Sequence, residues 1–299
     1  MKYVVTGAAG FIASHLAEAL LAAGHEVRAI DCFTGYYDPE LKRENAAAFP
    51  VEPLDLSTDE LDFRGADGVF HLAGQPGVHS FGDVFPLYVR HNELASQRVF
   101  EAAAAAGARV VFSSSSSVYG DAEAYPTPET AEPRPRSPYG ITKLACEHLA
   151  RAYGADFGLD CVVLRYFTVY GPRQRPDMFM ARVVRALAEG GAFTLYGDGE
   201  QSRSFTYVAD VVRATVDSMA RAPSGAIYNV GGGEEATVAE AIHVLQRVAD
   251  RTLDVTRAPR APGDVARTKA DTSRIRADLG WEPAVPLEDG LRRQWESAR

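Results

Sequence analysis

Apolar positions in the first half of the chain fall into two alternating patterns. Short runs rich in β-branched residues read as strands: Tyr3-Val4-Val5, Val27-Arg28-Ala29-Ile30, Gly68-Val69-Phe70-His71-Leu72, Arg109-Val110-Val111-Phe112 and Cys161-Val162-Val163-Leu164. Between most of them lie Ala/Leu-rich stretches long enough for helices, such as Phe11 to Ala23 and Asn92 to Ala106. Strands that are apolar throughout and separated by helices predict a parallel sheet covered on both faces. The rhythm changes after Gly171. Helices are predicted at about 177–190, 207–221, 237–250 and 286–297, with short strands near Phe193–Tyr196 and Ala226–Val230. The expected architecture is α/β, a doubly wound parallel sheet over residues 1–170 with a smaller C-terminal α/β region over 171–299. The boundary is soft, since strands and helices can cross it.

Composition narrows the class. Across 299 residues the net charge is −9, which argues against nucleic acid or an anionic membrane as the main partner. No apolar run approaches the ~20 residues of a membrane helix. The first strand begins almost at the N-terminus, without the longer apolar core of a signal peptide. Three scattered cysteines, Cys32, Cys146 and Cys161, make neither a disulfide framework nor a cysteine-based zinc site, and a cytoplasmic location is expected. The histidines show no ligand spacing, so no metal is expected.

The strand Tyr3-Val5 runs into Gly7-Ala8-Ala9-Gly10-Phe11-Ile12-Ala13, and a helix follows. Glycines permit a tight turn there, and the helix N-terminus offers free N–H groups to a pyrophosphate. A Gly-x-x-Gly alone is weak. In a strand–turn–helix context, with Asp31 ending the next strand, it predicts a Rossmann-type dinucleotide site. The Asp31 carboxylate can accept from a ribose 2′-OH and would repel a 2′-phosphate, which favours NAD over NADP. Leu54-Asp55-Leu56 and Leu72-Ala73-Gly74-Gln75 lie on the same carboxyl edge of the sheet.

A strand end of five serines, Ser113 to Ser117, precedes Val118-Tyr119-Gly120 and sacrifices strand propensity, so it points to chemistry. Ser137 suits a helix N-cap and Pro138 the first helical position, which puts Tyr139 and Lys143 on one helix face. An ammonium near a phenol favours phenolate, able to take a hydroxyl proton as hydride leaves the same carbon.

Together, Gly7-x-x-Gly10, Ser115-Ser116-Ser117-Val118-Tyr119-Gly120 and Tyr139-x-x-x-Lys143 resemble the extended short-chain dehydrogenase/reductases. These are the NAD-dependent epimerases and dehydratases of sugar nucleotides. The similarity extends through Tyr196-Gly197-Asp198-Gly199, Arg203-Ser204-Phe205-Thr206-Tyr207-Val208 and Pro262-Gly263-Asp264-Val265. It implies Tyr139 and Lys143 as catalytic residues with Ser115, Ser116 or Ser117. The cofactor residues expected are Gly7, Gly10, Phe11, Ile12, Asp31, Lys42, Asp55, Leu56, Leu72, Ala73, Gly74, Gln75, Asn92, Tyr139, Lys143, Tyr166 and Val169. Either Ser115 or Ser116 is expected to bridge the sugar O4 and Tyr139.

The segment from Arg165 to Met178, with Arg175-Pro176-Asp177-Met178, resembles UDP-glucuronate 4-epimerases, as does Tyr36 to Arg43. That resemblance implies that Arg175, with Thr168, meets a sugar carboxylate. It also implies Phe193 and Tyr196 at the uracil, Arg203 at the diphosphate and Asp264 at the ribose. Decarboxylases of the family carry a glutamate where Ser117 stands, which favours epimerisation of UDP-glucuronate to UDP-galacturonate. UDP-glucose or UDP-N-acetylglucosamine epimerisation, decarboxylation and a non-catalytic NAD-binding regulator are the alternatives. His79 and Ala261 stand where relatives have arginine. A homodimer through helices around 84–106 and 137–153 is the expected assembly.

Overall fold

The structure, a computed structural model, describes residues 1–77, 81–259 and 265–299. The strands β1 (Lys2–Thr6), β2 (Glu26–Ile30), β3 (Val51–Glu52), β4 (Gly68–His71), β5 (Arg109–Ser115) and β6 (Cys161–Tyr166) lie in one sheet. After the short β7 (Thr168–Tyr170), β8 (Ala192–Tyr196) and β9 (Ser202–Tyr207), β10 (Ile227–Val230) returns to its edge. The order is β10-β6-β5-β4-β1-β2-β3, and every pairing is parallel. Chain order reverses between β1 and β4, which opens a crevice at the carboxyl ends of those two strands.

The helices are α1 (Phe11–Ala22), α2 (Pro39–Asn45), α3 (Phe85–Tyr88), α4 (Ala95–Ala106), α5 (Pro138–Phe157), α6 (Phe179–Glu189), α7 (Val208–Arg221), α8 (Val238–Ala249), α9 (Ser273–Leu279) and α10 (Leu287–Glu296). One sheet face is covered by α1 and α7, the other by α4 and α5. Strands β4 and β6 are buried at every position, the mark of a sheet covered on both sides. The C-terminal region adds β11 (Glu235–Thr237), β12 (Asp254–Ala258) and β13 (Arg267–Thr268). β9 pairs with β7, β11 and β13, while β12 pairs with β8.

Two expectations change in detail. The strand read as ending at Phe112 continues through Ser115, because Ser113, Ser114 and Ser115 pair with Leu164, Arg165 and Tyr166. The helix expected from about residue 84 is broken into a 3-10 turn (Gly82–Val84), α3, a π-helical segment (Val89–Leu94) and α4. Chain from both sides of residue 170 also interleaves. β10 completes the first sheet, and β7 belongs with β9.

Candidate active site

A cavity of about 760 Å³ follows the carboxyl edge of the main sheet and continues against β7 and β9. Its floor is the turn between β1 and α1. Gly7 has φ +69°, and a Cβ there would lie 2.8 Å from the backbone of Ala73, so only glycine lets this turn lie against the end of β4. α1 opens at Gly10 with no side-chain cap and no acidic residue in its first turn, leaving its positive end to a ligand anion. At the end of β2, Asp31 accepts from Ala9 N–H at 3.1 Å and Phe33 N–H at 2.8 Å. Burial pushes its carboxyl above the usual range, against those donors and the Lys42 ammonium. Hydroxyl donors from a ribose would draw it back. An uncapped helix end beside a half-buried carboxylate fits a dinucleotide such as NAD.

Gly7, Gly10, Phe11, Ile12, Asp31, Lys42, Asp55, Leu56, Leu72, Ala73, Gly74, Gln75, Tyr166 and Val169 all line this cavity. Asn92 does not. It sits in the π-helical segment, where Oδ1 accepts from Gln75 N–H at 2.7 Å. Its Nδ2 donates to Gln75 C=O at 3.1 Å and to Thr142 Oγ1 at 3.0 Å. It braces the wall from behind, pinning the loop after β4 to α5. Thr6 and buried His71 stand under the same loop, with His71 Nδ1 2.7 Å from Thr6 Oγ1 and Nε2 3.0 Å from Ser96 Oγ.

The serine strand and α5 supply another wall of the cavity. Ser137 caps α5 by accepting from Gly140 N–H at 3.1 Å, and Pro138 occupies the first turn. A Cβ at Gly140 would fall 2.5 Å from the Ser117 carbonyl oxygen, so glycine lets the helix close on the serine turn. Tyr139 and Lys143 follow on one face, and both reach the cavity with Ser115, Ser116 and Ser117. Lys143 is buried. Its ammonium donates to Ser113 C=O at 2.8 Å and lies 6.0 Å from the Tyr139 ring centre. Ser115 Oγ donates to Ser117 Oγ and accepts from Ser117 N–H, each at 3.1 Å, which fixes the turn.

Beneath lies a buried polar network. Ser114 Oγ donates to Glu147, and Arg165 donates to Glu147 at 3.0, 3.3 and 2.6 Å. Arg165 also donates to the Tyr119 hydroxyl at 2.8 Å, which itself donates to Asn229 Oδ1 at 2.7 Å. Burial opposes the Arg165 charge, but the Glu147 carboxylate more than offsets it, and the guanidinium is held above its ordinary pKa.

Thr168, Arg175 and Arg203 also line the cavity. The Arg175 guanidinium faces Asp177, with Nε to Oδ1 at 3.0 Å and Nη2 to Oδ2 at 3.1 Å. Phe193 and Tyr196, the residues expected at a uracil, both lie on β8. Strand alternation turns Phe193 into the core against Phe179 and leaves Tyr196 exposed on the other face, so neither lines the cavity. Asp264, like His79 and Ala261, lies outside the described residues. Tyr36, Tyr37 and Asp177 also line the cavity but were absent from the expected site. Their signal was the paired opposite charges of Arg175-Pro176-Asp177, which sequence alone does not join to a loop about 140 residues earlier.

Residues 3–231 match the model of the NAD dependent epimerase/dehydratase family. A Bacillus subtilis (strain 168) protein named uncharacterized UDP-glucose epimerase YtcB is 39% identical, with 97% of this chain and 96% of that one covered. Among solved structures, UDP-glucuronic acid 4-epimerase from Bacillus cereus, in complex with UDP-glucuronic acid and NAD, superposes with TM-score 0.95 at 38% identity. That match covers 99% of this chain and 98% of the other. A protein named MoeE5, solved with UDP-glucuronic acid and NAD, gives TM-score 0.91 at 41% identity, covering 100% and 99%. MoeE5 has also been solved with UDP-glucose and NAD.

Proposed function

The chain belongs to the NAD dependent epimerase/dehydratase family, and within it we propose an NAD-dependent UDP-sugar 4-epimerase that interconverts UDP-glucuronate and UDP-galacturonate. The observation that carries this proposal is the convergence of Tyr139, the serine turn, Thr168 and Arg175 on one cavity, where Arg175 offers a guanidinium that matches a carboxylate.

NAD, when bound, supplies the acceptor and then the donor for the C4 hydride. The chain's own groups handle the proton and the orientation. Tyr139 takes the proton from the sugar O4 and returns it after the sugar has turned over. Lys143, fixed by the Ser113 carbonyl, presents positive charge one helical turn away from Tyr139. Ser115 or Ser116 hydrogen-bonds O4. A 4-keto uronate is a β-keto acid, which loses CO₂ when its carboxylate stands perpendicular to the ring carbonyl. Arg175, with Thr168, holds that carboxylate out of the reactive orientation and stabilises its charge. Arg203 is the candidate for the diphosphate.

We further propose a homodimer in which α3, the π-helical segment and α5 meet their copies. Leu87, Leu94, Ile141 and Phe157 are apolar yet exposed on these elements, in keeping with a covered face. A reducing cytoplasm suits the three unpaired cysteines.

The test is incubation of the purified protein with UDP-glucuronate and, separately, UDP-glucose, read by proton NMR and mass spectrometry. The expected product is UDP-galacturonate at unchanged mass. Turnover of UDP-glucose alone would refute the carboxylate assignment, and loss of CO₂ would refute epimerisation as the outcome.

A further inference from the structure

Arg175 already has a carboxylate partner. Pro176 fixes the intervening backbone, and Asp177 lies along one edge of the guanidinium as a two-point pair, at 3.0 and 3.1 Å. Tyr36, from the loop after β2, donates its hydroxyl to the same Asp177 Oδ2 at 3.2 Å. Its ring centre lies 5.9 Å from the guanidinium carbon. All three side chains line the cavity. A guanidinium offers two edges for two-point contacts, one through Nε and Nη2 and one through its two terminal nitrogens. Asp177 occupies the first. A ligand carboxylate on the second would share the cation with Asp177 and feel its negative charge, whereas a neutral hydroxymethyl group would not.

We propose that Asp177 is a specificity-determining residue: an internal carboxylate that holds Arg175 by one edge and lowers the site's preference for acidic over neutral hexose units. The idea deepens the function proposed above, because Arg175 meets a sugar carboxylate only under that function. Tyr36 modulates the effect. Burial and the neighbouring Asp177 push its phenol up to about 12, so it remains a neutral donor that draws on part of the aspartate charge.

The experiment is calorimetric binding of UDP-glucuronate and UDP-glucose to the NAD-loaded protein, comparing wild type with Asp177→Asn, Asp177→Ser and Tyr36→Phe. The quantity read is the Kd for UDP-glucose divided by that for UDP-glucuronate. With one like charge removed, this ratio rises about tenfold in both Asp177 variants. In Tyr36→Phe it falls, since the aspartate charge then bears on Arg175 alone. A ratio unchanged or lowered in the Asp177 variants overturns the inference and leaves Asp177 as an anchor only. Wild-type protein that binds UDP-glucose but not UDP-glucuronate overturns the parent function as well. Wild type that binds both, with an unmoved ratio in the variants, overturns this inference alone.

Discussion

Replacing Glu147 by alanine tests the buried network under the serine strand. The Glu147 and Arg165 side chains are only 5% and 4% exposed, and they share three contacts of 3.3 Å or less. Glu147 also accepts the Ser114 hydroxyl, and so ties α5 to β5. Its removal leaves a buried guanidinium with, among the described residues, the Tyr119 hydroxyl and the Glu129 carbonyl as hydrogen-bond partners. Breaking a buried pair by deleting one member costs about 3–5 kcal/mol. An unfolding entropy of roughly 2.1 cal/mol/K per residue gives a chain of this length about 0.6 kcal/mol/K at the midpoint. The expected fall in Tm is therefore about 5–8 °C by differential scanning calorimetry. The double variant Glu147→Leu with Arg165→Met should recover most of that loss, because a well-packed apolar pair avoids the desolvation of two charges. A fall below about 2 °C in the single variant would refute the assignment of Arg165 as a cation that depends on Glu147.

Two further outcomes follow from buried and exposed positions elsewhere. His71 is fully buried, and burial, helped by the Lys143 charge, holds its pKa at about 3, against 6.5 ordinarily. The unfolded chain therefore binds the extra proton between those values. The contribution of neutral His71 is complete above about pH 6.5 and is lost as pH falls toward 3, at up to about 1.4 kcal/mol per pH unit. Urea unfolding of wild type and His71→Gln from pH 7 to 5 checks this, and identical slopes would refute it. For the assembly, light scattering should give about twice the 32.3 kDa chain mass, and Leu94→Glu with Ile141→Glu should halve it. A monomeric wild type would rule the dimer out.

Several features of the site were legible before any tertiary structure. The turn from β1 to α1, the aspartate ending β2 and the Tyr139–Lys143 spacing each depend on a few consecutive residues. Backbone geometry converts such spacings directly into position: a strand delivers its end to the sheet edge, and residues four apart share a helix face. The same locality explains why α6, α7, α8 and α10 fall within two residues of expectation, whereas the short α9 was not expected. Which of Phe193 and Tyr196 turns inward is settled by the packing of α6 against β8, through Phe179 on Phe193, and not by the strand's own sequence.

The sequence by itself determined the α/β architecture, the glycine turn between β1 and α1 and the placing of Tyr139 and Lys143 on one helix face, since periodicity and short motifs act within one element. Only the tertiary structure decided that Asn92 braces Gln75 from behind the wall, that β10 returns to complete the main sheet, and that Arg175 already has Asp177 and Tyr36 beside it. These arrangements join residues distant along the chain. Their energies come from burial and from charges brought together, which exist only once the chain has closed on itself.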